Sequence, residues 1–393
     1  MFKEYYADLH IHIGRTLSGR AVKITGSRNL TFARILETAS ARKGLDIIGI
    51  IDCQSPDVIE EMSNMIEQGE LEELAEGGLR FQKTIVIPGS EIEIYDSNCQ
   101  GPIHVLAYFP TLMKMKEFSD WMHKHMKNIH LSSQRIYCDG RTLQQKVYEI
   151  GGLFIPAHVF TPFKSLFGKG VHRSMMEVFD PQLIDAIELG LSSDTEMVSG
   201  IRELQQYTFV TNSDAHSLGK IAREYQKLRL KQPNFSELKK ALHEWEGRTI
   251  VANYGLNPLL GKYHQTVCAK CGEQLKTDAT SCTVCDSKQI IKGVATRIKE
   301  LSEPIVHGRE RPPYIHQVPL EFIPGLGPKT MERLIEAFGT EMAILHRVTV
   351  EQLEQIVPHK IAKMIDLART GQLGIAVGGG GVYGKVEIEQ NNN

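Results

Sequence analysis

The sequence predicts an α/β protein built around a barrel-like domain of about 250 residues, followed by a small four-cysteine module and a helical C-terminal region. Three observations carry this. Short apolar runs alternate with helical patterns over residues 1–257, as in a parallel sheet with crossover helices. Most of those runs end in His, Asp or Glu, which places ionisable groups along one rim of a barrel. Two CxxC pairs follow where the alternation stops.

In chain order, Asp8-Leu9-His10-Ile11-His12 opens the protein as a strand with Asp8, His10 and His12 on one face and Leu9 and Ile11 on the other. A polar loop with Arg15, Arg20, Lys23 and Arg28 leads to a predicted helix over 29–43, stopped by Gly44. Leu45 to Asp52 is nearly continuous apolar sequence, the pattern of a strand buried on both faces, and ends in Asp52. Further strands are expected at 85–91, 103–107, 153–158, 185–189 and 209–216, with helices near 113–127, 142–150, 194–206 and 236–245. Residues 258–290 hold Cys268-x2-Cys271 and, ten residues on, Cys282-x2-Cys285, which together present four thiolates to one structural Zn²⁺. A module of roughly 30 residues is too small to fold without its metal.

The helical region spans 291–375 and begins with a Pro-rich linker. Within it, Pro324-Gly325-Leu326-Gly327-Pro328-Lys329 resembles the turn of a helix-hairpin-helix element: Gly325 and Gly327 allow a tight turn with outward amides, and Lys329 can approach a phosphate. A second copy without paired glycines is expected over 350–371, and 376–393 reads as a flexible tail with a short strand at 382–388.

With 393 residues, 41% of them hydrophobic, the chain supports two to three globular domains. No apolar run approaches transmembrane length and the N-terminus enters a strand directly, so a cytoplasmic protein without membrane partners is expected. Cys53, Cys99 and Cys138 are scattered, in keeping with reduced thiols. The net charge of −2 conceals an asymmetry: residues 58–79 hold seven Glu and no Lys or Arg, whereas 216–311 hold 17 Lys and Arg against 10 Asp and Glu. The second stretch is only mildly basic, so any nucleic-acid contact is local and salt-sensitive.

Collected at strand ends, the metal-ligand residue types are His10, His12, Asp52, Glu91, His104, His158, Asp214 and His216. Eight exceed the needs of one ion, and two or three divalent ions (Zn²⁺, Mn²⁺ or Mg²⁺) are expected together. Such a cluster generates hydroxide at neutral pH and stabilises the attacking and leaving oxygens of an in-line displacement at phosphorus. Phosphoester hydrolysis is the matching reaction class.

Asp8 to His12, Gly89-Ser90-Glu91, Pro156-Ala157-His158 and Asn212 to His216 resemble motifs of the PHP (polymerase and histidinol phosphatase) superfamily, which implies a distorted (β/α)7 barrel with a trinuclear metal site. Leu131 to Arg135, Pro156 to Gly168, Glu188 to Ser192, Ser213 to Ser217 and Gly261 to His264 extend the resemblance to the endonuclease Q family, a PHP barrel joined to a four-Cys zinc site and a helical C-terminal domain. The resemblance implies a DNA-repair endonuclease nicking 5′ of a deaminated base (uracil, hypoxanthine, xanthine) or an abasic site, and it leaves recruitment by a replication clamp open. It further implies His10, His12, Glu91, His158 and Asp214 as core ligands, completed by Asp52, His104 and His216, with Asp8 orienting a histidine. Phe160, Phe163 and Phe167 are stacking or wedging candidates, and Arg223 a base-pocket candidate. Two departures stand out: Cys53 follows Asp52 where many PHP members have His, and residues 13–19 lack a further His, so one of three metal positions is short of ligands. Two rival readings are a phosphatase of a small phosphomonoester, which leaves the zinc knuckle and helical hairpin without purpose, and a non-enzymatic DNA-binding scaffold.

Overall fold

The computed structural model describes residues 1–261, 263–276, 279–304, 308–376 and 385–387. Seven strands make a distorted ring: β1 (Lys3–Ile11), β2 (Ile47–Ile50), β3 (Thr84–Ile94), β4 (Ile103–Tyr108), β5 (Leu153–Pro156), β6 (Ile187–Glu188) and β7 (Phe209–Val210). β1, β2 and β3 pair in parallel, β4 is antiparallel to both β3 and β5, and β6 is parallel to β7. The two gaps are each closed by a pair of backbone bonds instead of a ladder. Asp185 N–H donates to Phe154 C=O and Val159 N–H to Glu188 C=O, both at 3.0 Å, while Ala215 and His10 are joined at 3.0 Å and His12 and Ala215 at 3.1 Å.

The all-parallel sheet expected from the alternation is therefore corrected at β4. Residues 95–102 are too few for the crossover that a parallel connection needs, so the chain doubles back. This reversal matters for the site. His104 lies at the start of β4, and the antiparallel register that sets it opposite Glu93 brings it to the rim where the other strands end. Outside the ring, β8 (Tyr225–Leu230) pairs antiparallel with β1, β9 (Thr249–Gly255) antiparallel with β8, and β10 (Tyr314–His316) parallel with β9. The C-terminal region thus contributes a strand as well as helices.

One buried apolar cluster takes Leu9, Ile47, Ile87, Leu106, Ile155, Ala186 and Val210 from the seven strands or their flanks, and a larger one lies between strands and helices. Burial on both faces explains the unbroken apolar run at β2. The helices are α1 (Phe32–Glu37, continuing as a π-helical turn to Lys43), α2 (Pro56–Glu67), α3 (Leu112–His123), α4 (Gly140–Ile150) and α5 (Phe235–Leu242). Thr111, Asp139 and Asn234 cap α3, α4 and α5 by accepting bonds from the amides of Lys114, Thr142 and Glu237. The helix expected over 194–206 is not formed: only Arg202–Leu204 make a 3-10 turn. The Gly200 carbonyl is bound instead by the Glu303 amide at 2.9 Å, and the Asp194 carboxylate holds the Met197 amide and His316.

The cysteine module carries a two-strand ladder between Val267–Cys268 and Ile290–Ile291 and leads into α6 (Val294–Leu301). Four further helices follow: α7 (Pro328–Phe338), α8 (Glu341–His346), α9 (Val350–Glu354) and α10 (His359–Arg369). The second hairpin copy expected over 350–371 corresponds to α9, a turn and α10. The glycine run at 378–381, the end at 390–393, Lys262 and His307 lie outside the described residues, and of the strand expected at 382–388, residues 385–387 pair antiparallel with 374–376. Among the described residues no helix is long and apolar enough to cross a membrane.

The helical region docks on the ring through α8. His346 stacks on Tyr6 at 4.4 Å between centroids, meets Tyr254 edge-on at 4.8 Å, and its Nε2 lies 2.7 Å from the Tyr225 hydroxyl. Lys43 binds Glu341 at 2.7 Å and Arg42 binds Glu332 at 2.6 Å alongside. Burial, then nearby Lys227, Arg369 and Arg347, lowers His346 to about 3. A depressed folded-state pKa means that the unfolded chain takes up the proton first, so this contact is fully retained above pH 6.5 and is lost progressively as pH falls towards 3. At pH 5 the loss is about 2 kcal/mol. Thermal unfolding at pH 7 and pH 5 checks this: His346→Gln is expected to flatten the difference.

Candidate functional site

The rim residues converge because successive strand ends meet there. His10 and His12 leave the end of β1, Asp52 follows β2, Glu91 projects from β3, and His158, Glu188 and Asp214 stand at or just after the ends of β5, β6 and β7. Two of them are held in the left-handed backbone region, His158 at φ 32° and Asp214 at φ 46°, as is Ser133 at φ 53°. Such strain in non-glycine residues persists where surrounding structure imposes it, and it concentrates at functional sites. Gly190 shows the constraint from the other side: a Cβ there would come within 2.8 Å of the His158 side chain.

Ligand-type atoms fall into two groups, each with its members within 4.8 Å of one another: His10, His12 and Asp214, and Glu91, His104 and His158. Asp214 Oδ1 lies 3.5 Å from His10 Nε2 and 3.4 Å from His12 Nε2. Glu91 Oε1 lies 2.9 Å from His104 Nδ1 and 3.4 Å from His158 Nε2. The groups adjoin, since Glu91 Oε1 is 3.6 Å from His10 Nε2 and Oε2 is 3.7 Å from His12 Nε2. His10 Nε2, His12 Nε2 and His104 Nε2 are buried without a hydrogen-bond partner. Buried imidazole nitrogens left unpaired and crowded against carboxylates fit divalent cations.

The rear of each leading histidine is fixed by a carboxylate. Glu188 receives His10 Nδ1 at 2.9 Å, and Asp52 Oδ2 receives His12 Nδ1 at 3.0 Å together with the Ile13 amide at 2.8 Å. This carboxylate–histidine arrangement fixes the tautomer and aims Nε2 forward. Asp52, expected among the ligands, is thus placed behind His12. His216 stands beside the first group, its Nδ1 3.0 Å from the Asp214 carbonyl and 3.5 Å from Oδ1. Asp8 touches neither imidazole ring: its carboxylate accepts the amides of Ser213 at 3.1 Å, Ala222 at 2.9 Å and His10 at 3.4 Å, tying β1 to the segment after β7.

Electrostatics follow from this geometry. Burial would raise Glu91, but His104, Lys23 and His10 hold it well below the usual carboxylate range; Asp214 is held down against burial by His10, His12 and His216. For His10 the burial penalty is outweighed by Glu188 and Asp214, which push it well up. Burial and the neighbouring His12 push His216 down to about 4.

Above these groups opens a cavity of about 620 Å³ lined by Lys23, Ile24, Ser133, Phe163, Arg223 and Tyr263 among others. Phe163 is 44% exposed and meets Tyr263 edge-on at 5.6 Å. Phe160 and Phe167 are corrected: both are buried and stack on each other at 5.3 Å, so they pack the loop after β5 and offer no face to a base. Arg223 reaches the cavity wall with Nε 2.7 Å from the Ser213 carbonyl. Gly325, Gly327 and Lys329 are exposed at the start of α7 and are not among the residues lining that cavity, with Gly325 at φ 85° as a tight turn requires.

The cysteines Cys268, Cys271, Cys282 and Cys285 gather with Sγ atoms 3.6 Å apart for Cys268–Cys285 and 3.5 Å for Cys271–Cys282. Zinc–thiolate bonds of about 2.3 Å in a tetrahedron put sulfurs about 3.8 Å apart, so the group fits a zinc ion.

No family model matches the sequence. The chain is 56% identical over 385 residues to the uncharacterized protein YqxK of Bacillus subtilis (strain 168), spanning 98% of this chain and 100% of that one. It is 37% identical over 255 residues to the uncharacterized protein MJ0043 of Methanocaldococcus jannaschii, which covers 58% of this chain and 31% of that protein. Among solved structures, the lesion-specific endonuclease PfuEndoQ from Pyrococcus furiosus superposes with a TM-score of 0.85 at 30% identity, over 99% of this chain and 96% of that one. The chain belongs to the endonuclease Q family. An endonuclease Q complex with a 27-mer duplex carrying an abasic lesion at its active site gives a TM-score of 0.84 at 29% identity, covering 99% and 97%.

Sequence reading of this endonuclease Q chain missed two residues as site members. Glu188 carries the same signal as the collected groups, an acid at a strand end. Lys23 lies in a loop where only folding shows that its amine turns inward, 3.1 Å from Glu91 Oε2.

Two outcomes are expected. Glu188→Gln should weaken divalent-metal uptake by about 10–100-fold, read by isothermal titration, because His10 loses its charged support. Cys271→Ser should lower the bound zinc by one equivalent, measured colorimetrically, with loss of protease resistance confined to the module at 258–290.

Proposed function

We propose that the protein is a DNA-repair endonuclease that hydrolyses the phosphodiester 5′ of a deaminated base (uracil, hypoxanthine or xanthine) or an abasic site, leaving a 3′-hydroxyl and a 5′-phosphate. The observation that carries this reading is the likeness along 99% of the chain to an endonuclease Q structure holding a duplex with an abasic lesion. His10, His12 and Asp214 would hold one divalent ion and Glu91, His104 and His158 a second, with His216 beside the first. When bound, such ions supply a nucleophilic water at neutral pH and neutralise charge on the phosphoryl oxygens.

The chain's own groups do the rest. Glu188 and Asp52 fix His10 and His12, so the ligand atoms need little rearrangement. The cavity over them accepts a nucleotide rotated out of the duplex, and a deaminated or missing base resists extrusion less than a well-paired one. Phe163, exposed at the cavity wall, offers a stacking face, and Arg223 presents positive charge to the backbone. The α7 turn with Gly325, Gly327 and Lys329 supports grip on a flanking phosphate, without sequence preference.

The test is a labelled duplex containing one deoxyuridine, incubated with protein and Mn²⁺ or Mg²⁺. A single nick on the 5′ side of the lesion is expected, with no nick in the undamaged duplex and a loss of at least about 1,000-fold in Asp214→Ala. Intact lesion duplex alongside phosphate release from a small monoester would overturn the reading.

A further inference from the structure

We propose that the Lys23 ammonium is a built-in cation of the reaction centre, placed beside the two ligand groups to contact a non-bridging oxygen of the scissile phosphate. This rests on the endonuclease reading above.

Lysine is seldom buried without a partner. The Lys23 side chain is 15% exposed, and its Nζ lies 3.1 Å from Glu91 Oε2 and 2.6 Å from Ser133 Oγ, while Ser133 donates to that same carboxylate oxygen. The loop bearing it is fixed on several sides. Lys23 N–H donates to Ile13 C=O at 2.9 Å and Val22 N–H to Gly14 C=O at 3.0 Å. Ser27 N–H donates to the His216 carbonyl at 2.8 Å, and Ser132 N–H to the Val22 carbonyl at 2.9 Å. The loop is therefore pinned both to the segment carrying Asp214 and to that carrying Ser133, so the amine is positioned by the site itself.

A purely structural ion pair accounts for less than this. An ammonium has three N–H groups, and Glu91 and Ser133 take two of them. Lys23 also lines the cavity, whereas a scaffold pair has no need to face open space. Charge balance points the same way. Asp52, Glu91, Glu188 and Asp214 bring four negative charges, and two divalent ions would cancel them; Glu93 has its own partner in Lys164 at 2.9 Å. An entering phosphodiester adds one further negative charge, and among the cations lining the cavity Lys23 is the one already seated on a ligand carboxylate. Among the described residues the ligand-type groups at the rim form two sets and no third; Cys53, buried and bonded to the Ile50 carbonyl at 3.2 Å, joins neither. A fixed ammonium does part of what a further ion would do, neutralising charge that grows on the phosphoryl oxygens as the bond to the leaving oxygen breaks.

The experiment compares metal-loaded wild type, Lys23→Met and Lys23→Arg. Metal content is read by mass spectrometry and single-turnover nicking on a deoxyuridine duplex. Affinity for that duplex and for one with a neutral methylphosphonate at the scissile position is read by stopped-flow anisotropy before cutting. Lys23→Met is expected to retain its metals, nick about 100-fold more slowly, and favour the charged duplex over the neutral one less than wild type does; Lys23→Arg should recover part of the rate and of the preference. Wild-type nicking by Lys23→Met, a preference for the charged duplex undiminished by the substitution, or loss of metal in proportion to activity would each overturn the assignment. A wild type that cuts no lesion duplex would instead remove the endonuclease reading, and this role with it.

Discussion

The Glu91 carboxylate is the constraint on which the site depends. It is buried on β3, where its two oxygens face His104 and His158 on one side and Lys23, Ser133 and His12 on the other. A carboxylate withdrawn from water costs several kcal/mol unless neighbours compensate, and here compensation comes from groups on β1, β4 and the loops after β1, α3 and β5. Each of those elements must therefore close on the same point. The ring geometry, including the reversal of β4, accomplishes this, and the left-handed backbone at His158, Asp214 and Ser133 is strain retained at the final approach.

The peripheral parts bear on the same centre. Arg297 of α6 donates to the carbonyls of Phe167 at 2.7 Å and His172 at 2.6 Å, so the segment after the four-cysteine module clamps the loop that presents Phe163. On the opposite flank, His346 in its cage of tyrosines and the Lys43–Glu341 pair seat the helical region against β1 and β8. The cysteine module and helical hairpins are thus joined to the ring through specific contacts.

Much of this was legible in the residues. The Asp8-to-His12 alternation, the strand-end acids and histidines, and the CxxC spacing each follow from a period or a distance that sequence encodes directly. What sequence could not convey is which end of a long side chain meets which partner. Asp52 and Glu188 are both acids at strand ends, and only the fold shows them behind His12 and His10. Phe160, Phe163 and Phe167 share one short stretch, yet two are core and one is exposed, because the loop after β5 folds on itself before a single π-helical turn at Leu166–Gly170. The helix expected over 194–206 failed for a similar reason: long-range contacts from Glu303 and His316 took its polar groups.

The most direct test of a two-ion centre organised by Glu91 is anomalous diffraction at the manganese edge from crystals of the Mn²⁺-loaded protein. Two barrel peaks are expected, one among His10, His12 and Asp214 and one among Glu91, His104 and His158, with the Lys23 amine still in place beside Glu91. A single peak, or a third ion standing where the amine does, would contradict the account.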